Sequence, residues 1–517
     1  MCRYLKTEKM LTVTLESFRT RLRKRSVIGK PVKIKKYKFS FPDALCFKHT
    51  NDTMDSSDIL FQVFKDRIAR NIRSLLSEGQ PIHTHGIIRL EVPCPGINCL
   101  DWLMAQGSQY KVYWSNRDNT FEMAGLGAAD SIRSQAISGY NTLFEAIHEK
   151  LSLAGNEPHY YGGIGFYPPR VNSGARKQEK EWKEFGAYYF LLPQFEIITK
   201  NEKTVFACNI VAANVTRALI EEYLSALDNL SFAQKPSGNE VIPAIRGVRM
   251  LPDKALWRQL FSEHVQPSGK MAYQKIVLAR KTCIELTADS EPLVVFRKLV
   301  RETPRSFHYY FQPQAGNAFF GASPERLFTR HGRAIESEAL AGTMPRGASG
   351  EEDAAFEKKL LSSDKDALEH KIVAEAIKNA FQKLCVSFSS DDAPTVVKAS
   401  SGQHLITRFK GILKDETDDA QILSLLHPTP AVGGTPTEQV LQALINVEPF
   451  DRGWYAGAFG YIGTTSVDFT VALRCALMRA NTVNLFAGAG IVEGSTADEE
   501  WQEIEEKKRI FLRILSS

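Results

Sequence analysis

Strand-like runs follow one another in this chain without the helices that a parallel sheet needs between its strands. GIIRLEVPCPG (86–96) and YKVYWSNRDNTFEMAGLG (110–127) alternate apolar and polar residues with turn residues between them, the pattern of antiparallel strands. YYGGIGFYPP (160–169) and AYYFLLPQFEIITK (187–200) read as buried strands. Helical periodicity sits between these runs, over Ser56–Gly79, in AISGYNTLFEAIHEKLSLAG (136–155) and in RALIEEYLSALDNL (217–230). Later strands and helices alternate without a βαβ rhythm. The expected fold is α+β and two-lobed, with large, mostly antiparallel sheets and helices packed outside them. A Ser, Pro, Gly and Asn-rich stretch at 232–247 suggests a boundary between an N-terminal lobe (46–250) and a catalytic region (251–517), preceded by an arm at 1–45.

The charge balance narrows the function. Residues 1–40 carry 13 Lys/Arg against Glu8 and Glu16, so the net charge of +6 comes from the arm and the remainder is acidic. No basic, aromatic-interleaved groove marks the body, which argues against nucleic acid as a partner. No run approaches the roughly 18–20 apolar residues that cross a bilayer. The arm lacks the apolar core of a secretory peptide, so the cytoplasm is the expected location, with the plastid stroma as the alternative. Its eight cysteines are scattered, and Cys94 and Cys99 have no second pair at zinc spacing, so reduced, packed thiols are expected.

Chemistry concentrates in the C-terminal half. Lys275 opens the apolar run KIVLAR with no carboxylate close in sequence, and a buried ammonium is costly unless it is paired or deprotonated. On a strand it shares a face with Val277 and Ala279, whereas Arg280 points the other way. Glu325 follows a strand-like run in FFGASPERLF, beside Phe319, Phe320 and Phe328, where desolvation can keep a carboxyl protonated for use as an acid. Helical spacing puts Glu369 on the apolar side of SSDKDALEHKIVAEAIKNAF, with a cap at Ser362 or Ser363. The same spacing puts Glu500, Glu503 and Lys507 on one face of ADEEWQEIEEKKRIF. Two inward carboxylate-bearing helices suit Mg²⁺, although either alone reads as a solvated face. VALRCAL places Arg474 inside an apolar strand, and NLFAGAGIVEGS ends a strand in glycines around Gly488, where backbone N–H groups and a guanidinium can hold a carboxylate. HPTPAVGGTP (427–436) is a rigid loop suited to a pocket wall.

KIVLAR, FFGASPERLF, EALAGTMPRG, DALEH, GQHL, LHPTPAVGG, FDRGWYAGAFGYIG, ALRCAL, FAGAGIV and EEWQEIEEK occur in one order over 273–511, with Lys275 standing 50 residues before Glu325. In this the chain resembles the chorismate-utilising enzymes and, within them, the isochorismate synthases. The resemblance implies Lys275 as the base that activates water and Glu325 as the acid that protonates a departing hydroxyl. It implies Glu369 and Glu503 as Mg²⁺ ligands, with Glu500 acting through water or as an outer acceptor. Arg474, the Gly488 backbone and Lys507 would hold the carboxylates of chorismate. Gly342, His404, Ala431, Val432 and Tyr455 would line the pocket. No partner beyond the small-molecule substrate is implied, and a monomer is expected.

Within that family the nucleophile divides the members. Amine-forming relatives usually carry Gln at the Lys275 position, and aminodeoxychorismate synthases use a lysine where this chain has Ala341. Salicylate synthases share Lys275, but LHPTPAVGG favours a synthase that stops at isochorismate. A non-catalytic paralogue would have lost Lys275, Glu325 or a metal carboxylate.

Overall fold

The structure, a computed structural model, describes residues 56–75, 86–94, 96–107, 110–152, 154, 157–169, 180–212, 215–231, 241–264, 273–399 and 402–516. The basic arm expected at 1–45 and most of the 232–247 boundary lie outside them. Residues 54–517 form one compact unit.

Two large sheets organise the described residues. The first has 12 strands in the order Gly86–Pro93, Lys203–Ala212, Phe195–Lys200, Phe121–Leu126, Lys111–Ser115, Phe307–Gln314, Asn317–Ser323, Cys475–Arg479, Thr482–Ile491, Lys275–Leu286 and Gly434–Thr435, with Ile245–Leu251 also pairing to Lys275–Leu286. The second has 10, in the order Cys385–Ser390, Gly402–Leu413, Ala334–Met344, Arg326–His331, Ser466–Val471, Ala458–Ile462, Tyr160–Ile164, Tyr188–Leu192 and Asp130–Ser134, with Thr395–Ala399 pairing to Gly402–Leu413. Pairing is antiparallel throughout the described strands, and both sheets draw on either side of residue 250.

The chain changes sheet through short links. AYYFLLPQFEIITK is two strands in different sheets, parted at Pro193, which has no N–H with which to continue a ladder. Pro324–Glu325 carries the chain from the first sheet to the second, and Ala472–Arg474 carries it back. Aromatic side chains fill the space between the sheets: Trp114 stacks on Phe307 and on Phe459, with centroids 5.8 and 6.2 Å apart, and Tyr309 stacks on Phe459 at 4.9 Å. Each such pair adds about 0.5–1.5 kcal/mol to the burial of its area. The two links are thereby held against a rigid interior.

Two helices flank the site. Asp364–Leu384 is capped by Ser363, whose hydroxyl accepts from Asp366 N at 3.2 Å. Ala497–Leu515 is capped by Thr496, whose hydroxyl accepts from Glu499 N at 3.4 Å and donates to the Glu499 carboxylate at 2.7 Å. The six described cysteines are unpaired, and all but Cys283 are buried. Among the described residues no helix is long and apolar enough to cross a membrane.

Candidate active site

The site lies where the two inter-sheet links meet the helices. A cavity is lined by Glu325 and Arg474 from the links and by Glu369, Glu503 and Lys507 from the helices. Gly342, His404, Ala431, Val432, Tyr455 and Gly488 complete the expected lining, and Leu340, Ala341, Thr343, Leu473 and Phe486 join them. Lys275 and Glu500 are buried and stand outside the lining.

Lys275 is the first residue of Lys275–Leu286 and is 0% exposed. Its partner is Glu369, remote in sequence, with Nζ 2.8 Å from Oε1. Register explains how they meet. Val277 pairs with Gly490 and Ala279 with Gly488, so both glycines share the Lys275 face. A Cβ on Gly490 would stand 2.3 Å from Glu369 Oε1 and 2.9 Å from Lys275 Cε, so only glycine leaves room for the ion pair. Arg280 turns to the opposite side, where it meets Glu505 and lies 3.7 Å over Trp501.

Gly488 presents backbone groups for a related reason. Ala279 N–H donates to Glu448 Oε1 at 3.0 Å, away from Gly488, which makes Ala279–Gly488 a non-hydrogen-bonded pair. The polar groups of Gly488 therefore face the other way, where its carbonyl accepts from Lys507 Nζ at 2.9 Å. Pairing with Cys475–Arg479 ends at Phe486, so Gly488 lies on a stretch of open strand edge.

Arg474 sits in the link between Ser466–Val471 and Cys475–Arg479, not inside a strand as its apolar neighbours suggested. Its φ of 48° breaks the extended backbone and turns the residue out of the ladder. Its Nη1 donates to Lys507 O at 3.1 Å, and burial lowers its pKa to about 10, which leaves it charged at neutral pH.

Glu325 is tied by its backbone, whose N–H donates to Ser323 Oγ at 3.2 Å and whose carbonyl accepts from Val471 N at 3.1 Å. Its Oε1 is buried without a hydrogen-bond partner. Burial, and then the neighbouring Glu338, push its pKa up to about 8, against Lys275 and Lys507. The expected acid is thus protonated at neutral pH. His404 is held neutral, its pKa lowered to about 3 by burial and then by Arg474 and Lys507, with Nδ1 3.1 Å from Thr343 Oγ1.

Each carboxylate expected to hold metal has a lysine partner. Besides the Lys275–Glu369 pair, Glu503 pairs with Lys507 and Glu500 with Lys365, both at 2.5 Å. Burial opposes ionisation of Glu503, but Lys507, Lys365 and Arg474 outweigh it and hold its carboxyl low. Glu500 is pushed up by burial and by Glu503, and its Oε2 has no partner. Lys365, which the sequence reading did not single out, is the convergence point. Burial disfavours its charge, yet Glu500, Glu503 and Glu369 together hold it as an ammonium. Its position four residues before Glu369, on one helix face, was the available signal. Among the described residues no three His, Cys, Asp or Glu side chains stand as a ready-made metal cage.

Arg452 braces the opposite wall. Fully buried, it pairs with Glu448 and donates to Val432 O at 2.8 Å and Val277 O at 2.7 Å, tying the HPTPAVGG loop to the Lys275 strand.

The family model described as chorismate binding enzyme matches residues 74–516. A chloroplastic isochorismate synthase of Catharanthus roseus is 31% identical over 494 residues, covering 86% of this chain and 83% of its own. The isochorismate synthase MenF of Bacillus subtilis is 30% identical over 423 residues, covering 78% and 88%. Among solved structures, MenF of Escherichia coli, a menaquinone-specific isochorismate synthase, superposes with a TM-score of 0.75 at 26% identity, over 89% of this chain and 100% of that one.

Proposed function

The chain belongs to the family of chorismate binding enzymes, and on that premise we propose that it converts chorismate reversibly to isochorismate, adding water at C2 as the C4 hydroxyl leaves. The observation that carries this reading is Glu325: a carboxyl that keeps its proton to about pH 8 on the wall of a cavity that also holds Arg474 and Lys507. Such an acid is of use where a poor leaving group must depart protonated.

Glu325 gives its proton to the departing C4 hydroxyl, and Lys275 takes the proton of the attacking water. Arg474, the outward N–H of Gly488 and Lys507 bind the substrate's carboxylates, a donor set that suits paired carboxylate oxygens. Ala431 and Val432, with Tyr455, Gly342 and neutral His404, shape the walls and restrict the water that can enter. Ala341 lines the cavity where the resemblance puts the lysine of aminodeoxychorismate synthases, which supports water as the nucleophile.

The carboxylates fit Mg²⁺. Three of them act on the single ammonium of Lys365, Glu500 Oε2 is buried without a partner, and hard oxygen donors are what this ion takes. Glu369 and Glu503 would hold it, with Glu500 as a further acceptor. When bound, it supplies positive charge against the substrate's carboxylate and the charge that develops on it.

Incubation of the protein with chorismate and Mg²⁺, followed by chromatographic separation, tests the reading. Isochorismate without salicylate supports it; salicylate with pyruvate as the first main product overturns it.

A further inference from the structure

Glu325 is flanked on both sides by bonds that lead to one carboxylate. Before it, Pro324 O accepts from Arg117 Nη1 at 2.9 Å, and Arg117 grips Glu338 with two bonds of 2.7 and 2.9 Å. After it, Arg326 N donates to Glu338 Oε1 at 3.0 Å. The peptide groups on either side of Glu325 thus meet at Glu338. Arg117 follows the strand Lys111–Ser115 of the first sheet, and Glu338 lies on Ala334–Met344 of the second, 221 residues away. The guanidinium groups of Arg117 and Arg326 each lie 5.3 Å from the Phe307 ring, which fixes their planes.

We propose that Arg117 and Glu338 are positioning residues of the reaction, a clamp across the two sheets that sets where the Glu325 carboxyl stands. The clamp rests on the role assigned to Glu325 under the proposed function. Two features separate it from an ordinary ion pair. It binds the backbone of the link at Pro324 O and Arg326 N, where the acid is mounted, and not only one side chain to another. It also places a 4% exposed carboxylate close enough to act on Glu325. The charged groups that act on Glu325 are Glu338 from its strand, Lys275 from Lys275–Leu286 and Lys507 from the C-terminal helix. Glu338 works against the two lysines and keeps the acid protonated.

The test is the double variant Arg117→Met/Glu338→Leu. Replacing a buried ion pair with apolar side chains of similar volume is often neutral for stability, so a purely structural pair would leave turnover intact. The clamp predicts native circular dichroism with kcat down roughly 10–100-fold and KM within about threefold, because only the acid is displaced. The high-pH limb of kcat should also move to lower pH. Unchanged kcat and an unchanged limb would overturn the proposal. Should the double variant fail to fold, Glu338→Gln alone must lower that limb, and adding it to Glu325→Gln must cost no further activity; a full additional loss in the Glu325→Gln background refutes the clamp. Wild-type protein that makes no isochorismate from chorismate would defeat the underlying reading. A working wild type with indifferent variants defeats only the clamp.

Discussion

Replacing Glu325 with Gln should weaken catalysis and strengthen the fold, and the second effect has a worked size. The carboxyl's ordinary pKa is 4.5 and burial raises it to about 8. The folded protein therefore binds this proton more tightly than the unfolded chain does. The stability it contributes is complete below pH 4.5 and is lost as pH rises toward 8. The loss is about 1.4 kcal/mol per pH unit within that window, or roughly 3 kcal/mol between pH 5 and pH 7. Glutamine keeps the shape, carries no charge and has no such loss. Denaturant unfolding of wild type and Glu325→Gln at pH 5, 6, 7 and 8 should show the variant gaining on the wild type with each step, with the gain flattening near pH 8. In parallel, kcat for isochorismate formation should fall by roughly 10²–10⁴-fold, the usual worth of a general acid. Stability curves that run parallel across this pH range would refute the raised pKa. A variant with wild-type kcat would refute the role.

Five further outcomes follow from the same geometry. In wild type, kcat should hold steady up to about pH 8 and then fall about tenfold per unit as Glu325 loses its proton; a pH-rate profile checks this. Gly490→Ala pushes a methyl into Glu369 and Lys275, so turnover should be lost while circular dichroism stays native. Glu369→Gln removes the side chain paired with the buried Lys275 and should destabilise the protein in chemical unfolding more than Glu503→Gln does, whose carboxylate is the more exposed of the two. Arg474→Lys keeps charge but loses the two-pronged grip, and KM for chorismate should rise by more than about tenfold. EDTA should abolish turnover and Mg²⁺ restore it, and Glu503→Gln should weaken Mg²⁺ binding by calorimetry.

The anomalous residues were legible in the sequence because each broke a local rule. Lys275 breaks an apolar strand, Glu325 sits among phenylalanines, and Glu369 lies on the wrong face for a solvated carboxylate. Those are signals within a few residues, which periodicity can read. The antiparallel α+β class was legible for the same reason. What escaped depends on long-range pairing. Lys275 gained its partner through the register of another strand and the absence of a side chain at Gly490. Arg474 was read as a strand residue because its neighbours are apolar on both sides. Those neighbours serve two different strands, and the residue between them takes φ 48° to join the sheets. Arg117 and Glu338 gave no local sign, since an Arg after a strand and a Glu within one are ordinary until the fold brings the two, 221 residues apart, together around the Pro324–Glu325 link.

The central claim is that water, activated at Lys275, attacks as the protonated Glu325 releases the C4 hydroxyl. Turnover of chorismate and Mg²⁺ in H₂¹⁸O, with the product's mass read before equilibrium, tests it most directly. The account predicts isochorismate carrying one ¹⁸O at C2, and no labelled product from Lys275→Gln. Unlabelled isochorismate, in which the hydroxyl has moved without solvent, would contradict it.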